Sequence, residues 1–139
     1  MEETLTIIKP DAVRAGNTGR IIAHLEDARF EIQAMRRMHL SRAQAEAFYA
    51  VHRERPFYAD LVAFMTSGPV VAIALARENA VAHLRDVMGA TDSTQAAEGT
   101  IRNLYGTNIQ NNAIHGSDSP ENAAIERAFF FAACDLVGR

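Results

Sequence analysis

The chain has one cysteine, no long apolar run and no extended basic cluster, and each shortage removes a class of function. A membrane-crossing helix needs roughly 18 or more consecutive apolar residues, and no stretch approaches that. The single cysteine, Cys134, excludes an internal disulfide and any multi-cysteine metal site. Its place after the run FFFAA reads as packing rather than as a catalytic thiol. The net charge is -3 and no basic cluster is longer than Arg36-Arg37, which argues against a nucleic-acid groove. A small phosphate ligand met by a few placed arginines remains possible on this composition. The opening MEETLTIIKP is acidic and carries too short an apolar run for an export signal, so the expected compartment is the cytoplasm. The common phosphate and metal devices are missing as well. There is no GxxxxGK[ST] loop, no GxGxxG and no HExxH, and His83-Leu84-Arg85-Asp86 is not followed by the DFG of a protein kinase.

What is present is enough for one domain spanning 1–139, with 48% hydrophobic residues to build a core and no linker, repeat or low-complexity segment. Thr4 to Ile8 predicts a short strand ended by Pro10. Ile21, Ile22 and Leu25 share a helical face, and Phe30 to Met35 alternates as a half-exposed strand. Ser41 and Gln44 form a capping box for a helix through Tyr49, and a further helix is expected from Tyr58 to Met65. Val70 to Leu75 is almost wholly apolar and predicts a central buried strand. Asn79 is placed to cap a helix carrying Val81, Leu84 and Met88. Residues 89–113 read as a long loop, a feature that in compact domains is usually functional. Ser119-Pro120-Glu121 opens a last helix that runs to about Phe130. The order predicts an α+β sandwich, one sheet with helices packed on it.

Of the five histidines, His24 and His83 fall on predicted helices, His39 at a strand end and His52 in the charged run His52-Arg53-Glu54-Arg55, read as a solvated turn. His115 is different. It stands in Ala113-Ile114-His115-Gly116-Ser117-Asp118, between the long loop and a capped helix, with a glycine that would let a ligand reach the backbone. By pattern alone it is as well explained as a hydrogen-bonded loop residue. Arg85, Thr91 and Arg102 flank the long loop and are candidate phosphate contacts, although spacing alone does not set them above ordinary surface residues. Lys9 raises its own question, because all thirteen other basic residues under Lys+Arg are arginine.

The blocks IIKPDAV, FYAVHRERPF, FMTSGPVV, ENAV, HLRDVMGATD, AEGTIR and above all NNAIHGSDS run collinearly over about residues 3–131. Together they resemble the nucleoside diphosphate kinase family. The resemblance implies a ferredoxin-like fold, a four-stranded antiparallel sheet with helices on one face. It implies transfer of the terminal phosphoryl group from a nucleoside triphosphate to a nucleoside diphosphate, in two steps through a phosphohistidine on His115. Glu126 would hold the other ring nitrogen, and Ser117 would join the same hydrogen-bonded cluster. Lys9 and Asn112 would meet the ribose hydroxyls, with Lys9 also near the transferred group. There a compact ammonium fits where a planar guanidinium would clash. Tyr49, Arg85, Thr91 and Arg102 would contact phosphates, and Phe57 and Ile109 would clamp the base. Stacking without edge-reading donors implies broad base and sugar specificity. Magnesium would travel with the nucleotide phosphates, with no direct protein ligand and Asp118 touching it through water. The family also implies a homo-oligomer, a tetramer or hexamer.

Two departures stand out, Asn103-Leu104-Tyr105 where the family usually has an acid before the aromatic, and Arg127 after Glu126 where an aliphatic residue is common. Neither removes a group with a chemical role. The alternative, a non-catalytic nucleotide-binding or regulatory module, has no need of His115, Glu126, Lys9 and two loop arginines together.

Overall fold

The computed structural model describes residues 1–138; Arg139, the last residue of the expected domain, lies outside them. Strands β1 (Glu2–Ile8), β2 (Glu31–Met38), β3 (Val70–Arg77) and β4 (Ile114–Gly116) form one antiparallel sheet in the order β2-β3-β1-β4. The described residues also form α1 (Pro10–Arg14), α2 (Thr18–Asp27), α3 (Arg42–Phe48), α4 (Tyr58–Met65), α5 (Ala80–Met88), α6 (Ile101–Tyr105) and α7 (Pro120–Phe130). This is the expected ferredoxin-like α+β arrangement, with one correction: the helices cover both faces of the sheet.

The reason lies in β3. Side chains alternate across a strand, and in Val70–Ala76 both parities are apolar and buried. Val71, Ile73 and Leu75 join Ile21 and Leu25 of α2, Leu84 and Met88 of α5 and Ile101 of α6 in one core. Val70, Ala72 and Ala74 face the other way, with Leu5, Ile7, Met65 of α4 and Phe130 of α7. A strand that is apolar at every position demands cover on both sides.

Strong local signals hold. Ser41 and Gln44 make the full capping box, and Ser119 accepts from the Asn122 N–H with Pro120 at the first helical position. Asn79 occupies its cap position in a left-handed conformation (φ +54°) but makes no side-chain cap bond. Glu2 takes over, its Oε1 accepting the Val81 N–H at 2.7 Å. The Phe30–Met35 strand is shifted to Glu31–Met38 and bulges between Ile32 and Ala34, while Phe30 is a core residue. Segment 89–113 is not structureless. It holds the 3₁₀ turn Ser93–Gln95 and α6, anchored by the fully buried Ile101.

Arg127 ties α7 to the sheet. Its Nη2 donates to Glu3 Oε2 at 2.8 Å and to Gln33 Oε1 at 2.9 Å, from a side chain only 12% exposed. Arg127→Ala is expected to lower stability by about 1–3 kcal/mol, since both acceptors lose a charge-assisted donor. Urea denaturation reads that loss; phosphoryl transfer per folded molecule should stay unchanged.

Candidate active site

His115 is the middle residue of β4, paired with Ile7 at the sheet edge. Strand pairing turns its ring to the face that carries α3 and α7, away from its neighbour Ile114, which enters the opposite core. The ring packs edge-on against Phe48 (5.6 Å between centroids) and Tyr49 (6.4 Å). Its Nε2 lies 2.8 Å from Glu126 Oε1, and Ser117 Oγ donates to the same oxygen at 2.8 Å. Against an ionised carboxylate, which only accepts, a neutral ring must carry its proton on Nε2 and keep the lone pair on Nδ1. Nδ1 has no hydrogen-bond partner among the described residues. Gly116 also lines the cleft, and it serves packing as well, because a Cβ there would lie 2.9 Å from Met88 Sδ and 3.0 Å from Leu84 Cδ2.

A cleft of about 640 Å³ opens beside this ring. Lys9, Tyr49, Phe57, Arg85, Thr91, Arg102, Ile109, Asn112, His115 and Asp118 all line it. Ser117 and Glu126 stand behind the ring, Ser117 fully buried. Phe57 and Ile109 remain 44% and 61% exposed at the cleft, with the Arg55 guanidinium 5.5 Å over the Phe57 ring. The cleft also takes in His52, Asp60, Leu61 and Gln110. His52 is therefore not a solvated turn residue; its ring lies 6.5 Å from Tyr49 and 5.4 Å from Phe57. Its spacing three residues after Tyr49, one turn along, was the signal in the sequence.

Lys9 stands between β1 and α1 and its Nζ donates to Asn112 Oδ1 at 2.8 Å, while Asn112 Nδ2 donates to the Thr91 carbonyl at 3.0 Å. Burial and then the Arg102 guanidinium hold the Lys9 ammonium down at about 8, against a weaker upward pull from Asp11. Arg102 is used more than the sequence implied. Its Nη1 donates to the Gly89 carbonyl at 3.0 Å and its Nη2 to Ile114 at 2.8 Å, bracing β4 from α6. Burial and the nearby Arg85 lower it to about 10. Its Nε and the Tyr49 hydroxyl are buried with no hydrogen-bond partner among the described residues. Burial first, then Glu126, pushes the Tyr49 hydroxyl well above its usual range. Two orphan donors beside a cationic cleft suit an anionic guest. Asp118 Oδ1 accepts from Asn122 Nδ2 at 2.5 Å. Among the described residues no group of three or more His, Cys, Asp or Glu is placed to hold a metal ion.

A family profile described as nucleoside diphosphate kinase matches residues 2–136. The chain belongs to that family. The nucleoside diphosphate kinase of Chlorobium chlorochromatii is 57% identical over 137 residues, 99% of this chain and 98% of that one. The structure of the Aquifex aeolicus nucleoside diphosphate kinase superposes with a TM-score of 0.96 at 45% identity, covering 98% of this chain and 99% of that chain. The Halobacterium salinarum nucleoside diphosphate kinase in complex with CDP gives 0.94 at 38% identity, covering 99% and 92%. As a nucleoside diphosphate kinase homologue the chain is an enzyme, a phosphotransferase of nucleotide metabolism. Its two departures from the family pattern lie outside the cleft: Leu104 is 51% exposed on α6, and Arg127 points to β1 and β2.

Proposed function

We propose that the enzyme transfers the terminal phosphoryl group in two in-line steps through His115. In the first, the Nδ1 lone pair attacks the terminal phosphorus of a nucleoside triphosphate. The bond from that phosphorus to the bridging oxygen breaks, and nucleoside diphosphate leaves with the electron pair. In the second, a terminal oxygen of an incoming diphosphate attacks the phosphohistidine and returns the electron pair to Nδ1. The observation that carries this reading is the 2.8 Å contact of His115 Nε2 with Glu126, which leaves the opposite nitrogen unprotonated. Glu126 also steadies the positive charge that the ring acquires on phosphorylation, and Ser117 holds Glu126 in place. One cleft serves both steps, because donor and acceptor occupy it in turn.

Lys9, Arg85, Arg102, Thr91 and Tyr49 would meet the phosphates and Lys9 with Asn112 the sugar. Phosphate charge developing in the transition state is met there by fixed donors in a partly dry site. Phe57 and Ile109 would hold the base by its faces, which every base presents, so broad specificity for base and sugar is expected. The single carboxylate of Asp118 near the phosphate end fits a magnesium ion held mainly by phosphate oxygens and water, the usual habit of that ion. Magnesium would neutralise phosphate charge. The CDP bound to the Halobacterium salinarum relative supports a nucleoside diphosphate as ligand.

We also infer a single domain over 1–139, a cytoplasmic setting and a homo-oligomer, tetramer or hexamer. The edge position of β2 and its 52% exposed Met35 support self-association. No helix among the described residues is long and apolar enough to cross a membrane.

Intact-mass measurement tests the mechanism. Brief mixing with magnesium and ATP is expected to add one acid-labile phosphoryl group, which dGDP then removes. No added mass while nucleotide demonstrably binds would leave a binding module without chemistry.

A further inference from the structure

The turn that delivers β4 is strained. Ala113 is fully buried and adopts φ +74°, a positive-φ conformation that is costly for a residue with a Cβ. The Ile114 N–H bonds back to the Asn112 carbonyl at 2.9 Å, so Ala113 is the centre of a γ-turn. On either side of it stand Asn112, the acceptor of the Lys9 ammonium, and then Ile114 and His115. A strained conformation persists only where its surroundings over-determine it.

Two groups do so from the start of α1. The Lys9 backbone N–H donates to the Ala113 carbonyl at 2.8 Å, and the Ala113 N–H donates to the Asp11 carboxylate Oδ2 at 3.1 Å. Residues 9 and 11 thus grip both polar groups of the same peptide residue. The grip is not an obvious contribution to stability. Asp11 Oδ1 is buried with no hydrogen-bond partner among the described residues, and burial raises the acid above its ordinary range, against the Ala113 N–H and then the Lys9 ammonium, which both pull it down. A half-buried carboxylate with one oxygen buried and unpartnered is a liability that needs a compensating use.

We infer that Asp11 is a positioning residue for phosphoryl transfer: by holding the γ-turn at Ala113 it sets the Lys9–Asn112 pair and His115 at fixed separation across the cleft. The inference rests on the phosphohistidine reading above. No part of the Asp11 side chain lines the cleft, so its action is through the turn and not on the nucleotide.

Asp11→Ala removes the acceptor, whereas Asp11→Asn keeps an oxygen able to accept the same N–H. Single-turnover phosphorylation by magnesium ATP, normalised to folded protein, is expected to slow by about 10- to 100-fold in Asp11→Ala, the usual penalty of a misplaced reacting group. Asp11→Asn should stay within roughly 3-fold of the parent chain, because acceptor geometry and not charge does the positioning. Nitrogen-resolved NMR follows the same variants without turnover: in Asp11→Ala the Ala113 amide should lose protection from exchange and the His115 ring signals should move. A lower melting temperature with a parental rate per folded molecule overturns the inference, and so does an Asp11→Asn as slow as Asp11→Ala. If Asp11→Ala does not fold, Asp11→Ser, too short to reach the amide, replaces it; failure of both to fold marks a purely structural residue and also overturns it. If the parent chain takes up no phosphate, the phosphohistidine reading falls by itself. The NMR response of Ala113 and His115 then decides the positioning role, and unchanged signals refute it.

Discussion

His115→Ala is expected to abolish phosphoryl transfer between nucleotides, lowering turnover by at least roughly 10⁴-fold, because the covalent route loses its only acceptor atom. Nucleotide affinity should change little. The ring forms one wall of the cleft, while the cationic side chains of Arg85, Arg102 and Lys9 and the apolar side chains of Phe57 and Ile109 that also line it stay in place. Removing Glu126 should do less than removing His115. In Glu126→Ala the imidazole survives, but nothing fixes its tautomer or its charge, and Ser117 loses its acceptor as well. A loss of about 10²-fold is expected there, mainly in the transfer step rather than in nucleotide binding. A coupled assay with ATP and dGDP, alongside calorimetric titration with ADP, separates the two quantities. Substantial transfer by His115→Ala would refute the two-step scheme and require direct in-line transfer between two bound nucleotides.

Lys9→Met should lose activity and gain stability together. Activity is expected to fall by roughly 10²- to 10³-fold, as the proposed mechanism loses the fixed cation it places beside the moving phosphoryl group. Stability moves the other way because the folded protein holds this lysine at about 8, below its ordinary 10.5. Below pH 8 both folded and unfolded chains carry the proton, and the folded state bears the full penalty of a buried charge. Between pH 8 and 10.5 the unfolded chain binds more protons than the folded one, so the stability of the parent chain rises with pH over that window. The advantage of Lys9→Met is therefore largest below pH 8 and shrinks as pH climbs to 10.5. At neutral pH it should amount to about 1–2 kcal/mol, after allowing for the lost hydrogen bond to Asn112. Urea denaturation at pH 7 and pH 10 measures both ends, and a variant less stable than its parent at pH 7 would refute the argument. A lysine kept protonated against burial and against Arg102 is poised for an anion, whose arrival would relieve the penalty. An arginine, charged at any working pH and broader, would crowd Asn112 and could not shed the charge.

Much of this molecule was legible in short windows. The capping box at Ser41, the Ser119-Pro120 start and the apolar run from Val70 concern partners a few residues apart. Such local energetics are written in neighbouring side chains. The block Asn111 to Ser119 likewise marked His115 through resemblance, and the structure brings most of the matched residues together at one cleft. Strand β4 was not legible, because three residues with a histidine at their centre show no period. It is a strand only because Ile7, far away in the chain, offers its backbone. The same holds for Arg102, whose hydrogen bonds to Gly89 and Ile114 exist only once α6 folds back over β4. It holds for His52, read as solvated until Tyr49 and Phe57 closed around it, and for Asp11, whose partner lies 102 residues on.

The sequence by itself determined the chemical groups available, the helix starts, the buried central strand and, by resemblance, the family. The tertiary structure alone decided which nitrogen of His115 is free, which donors are spent on backbone carbonyls and how Lys9 is buried. Those properties depend on distances and dielectric between residues remote in the chain, and such quantities have no value until the chain has folded.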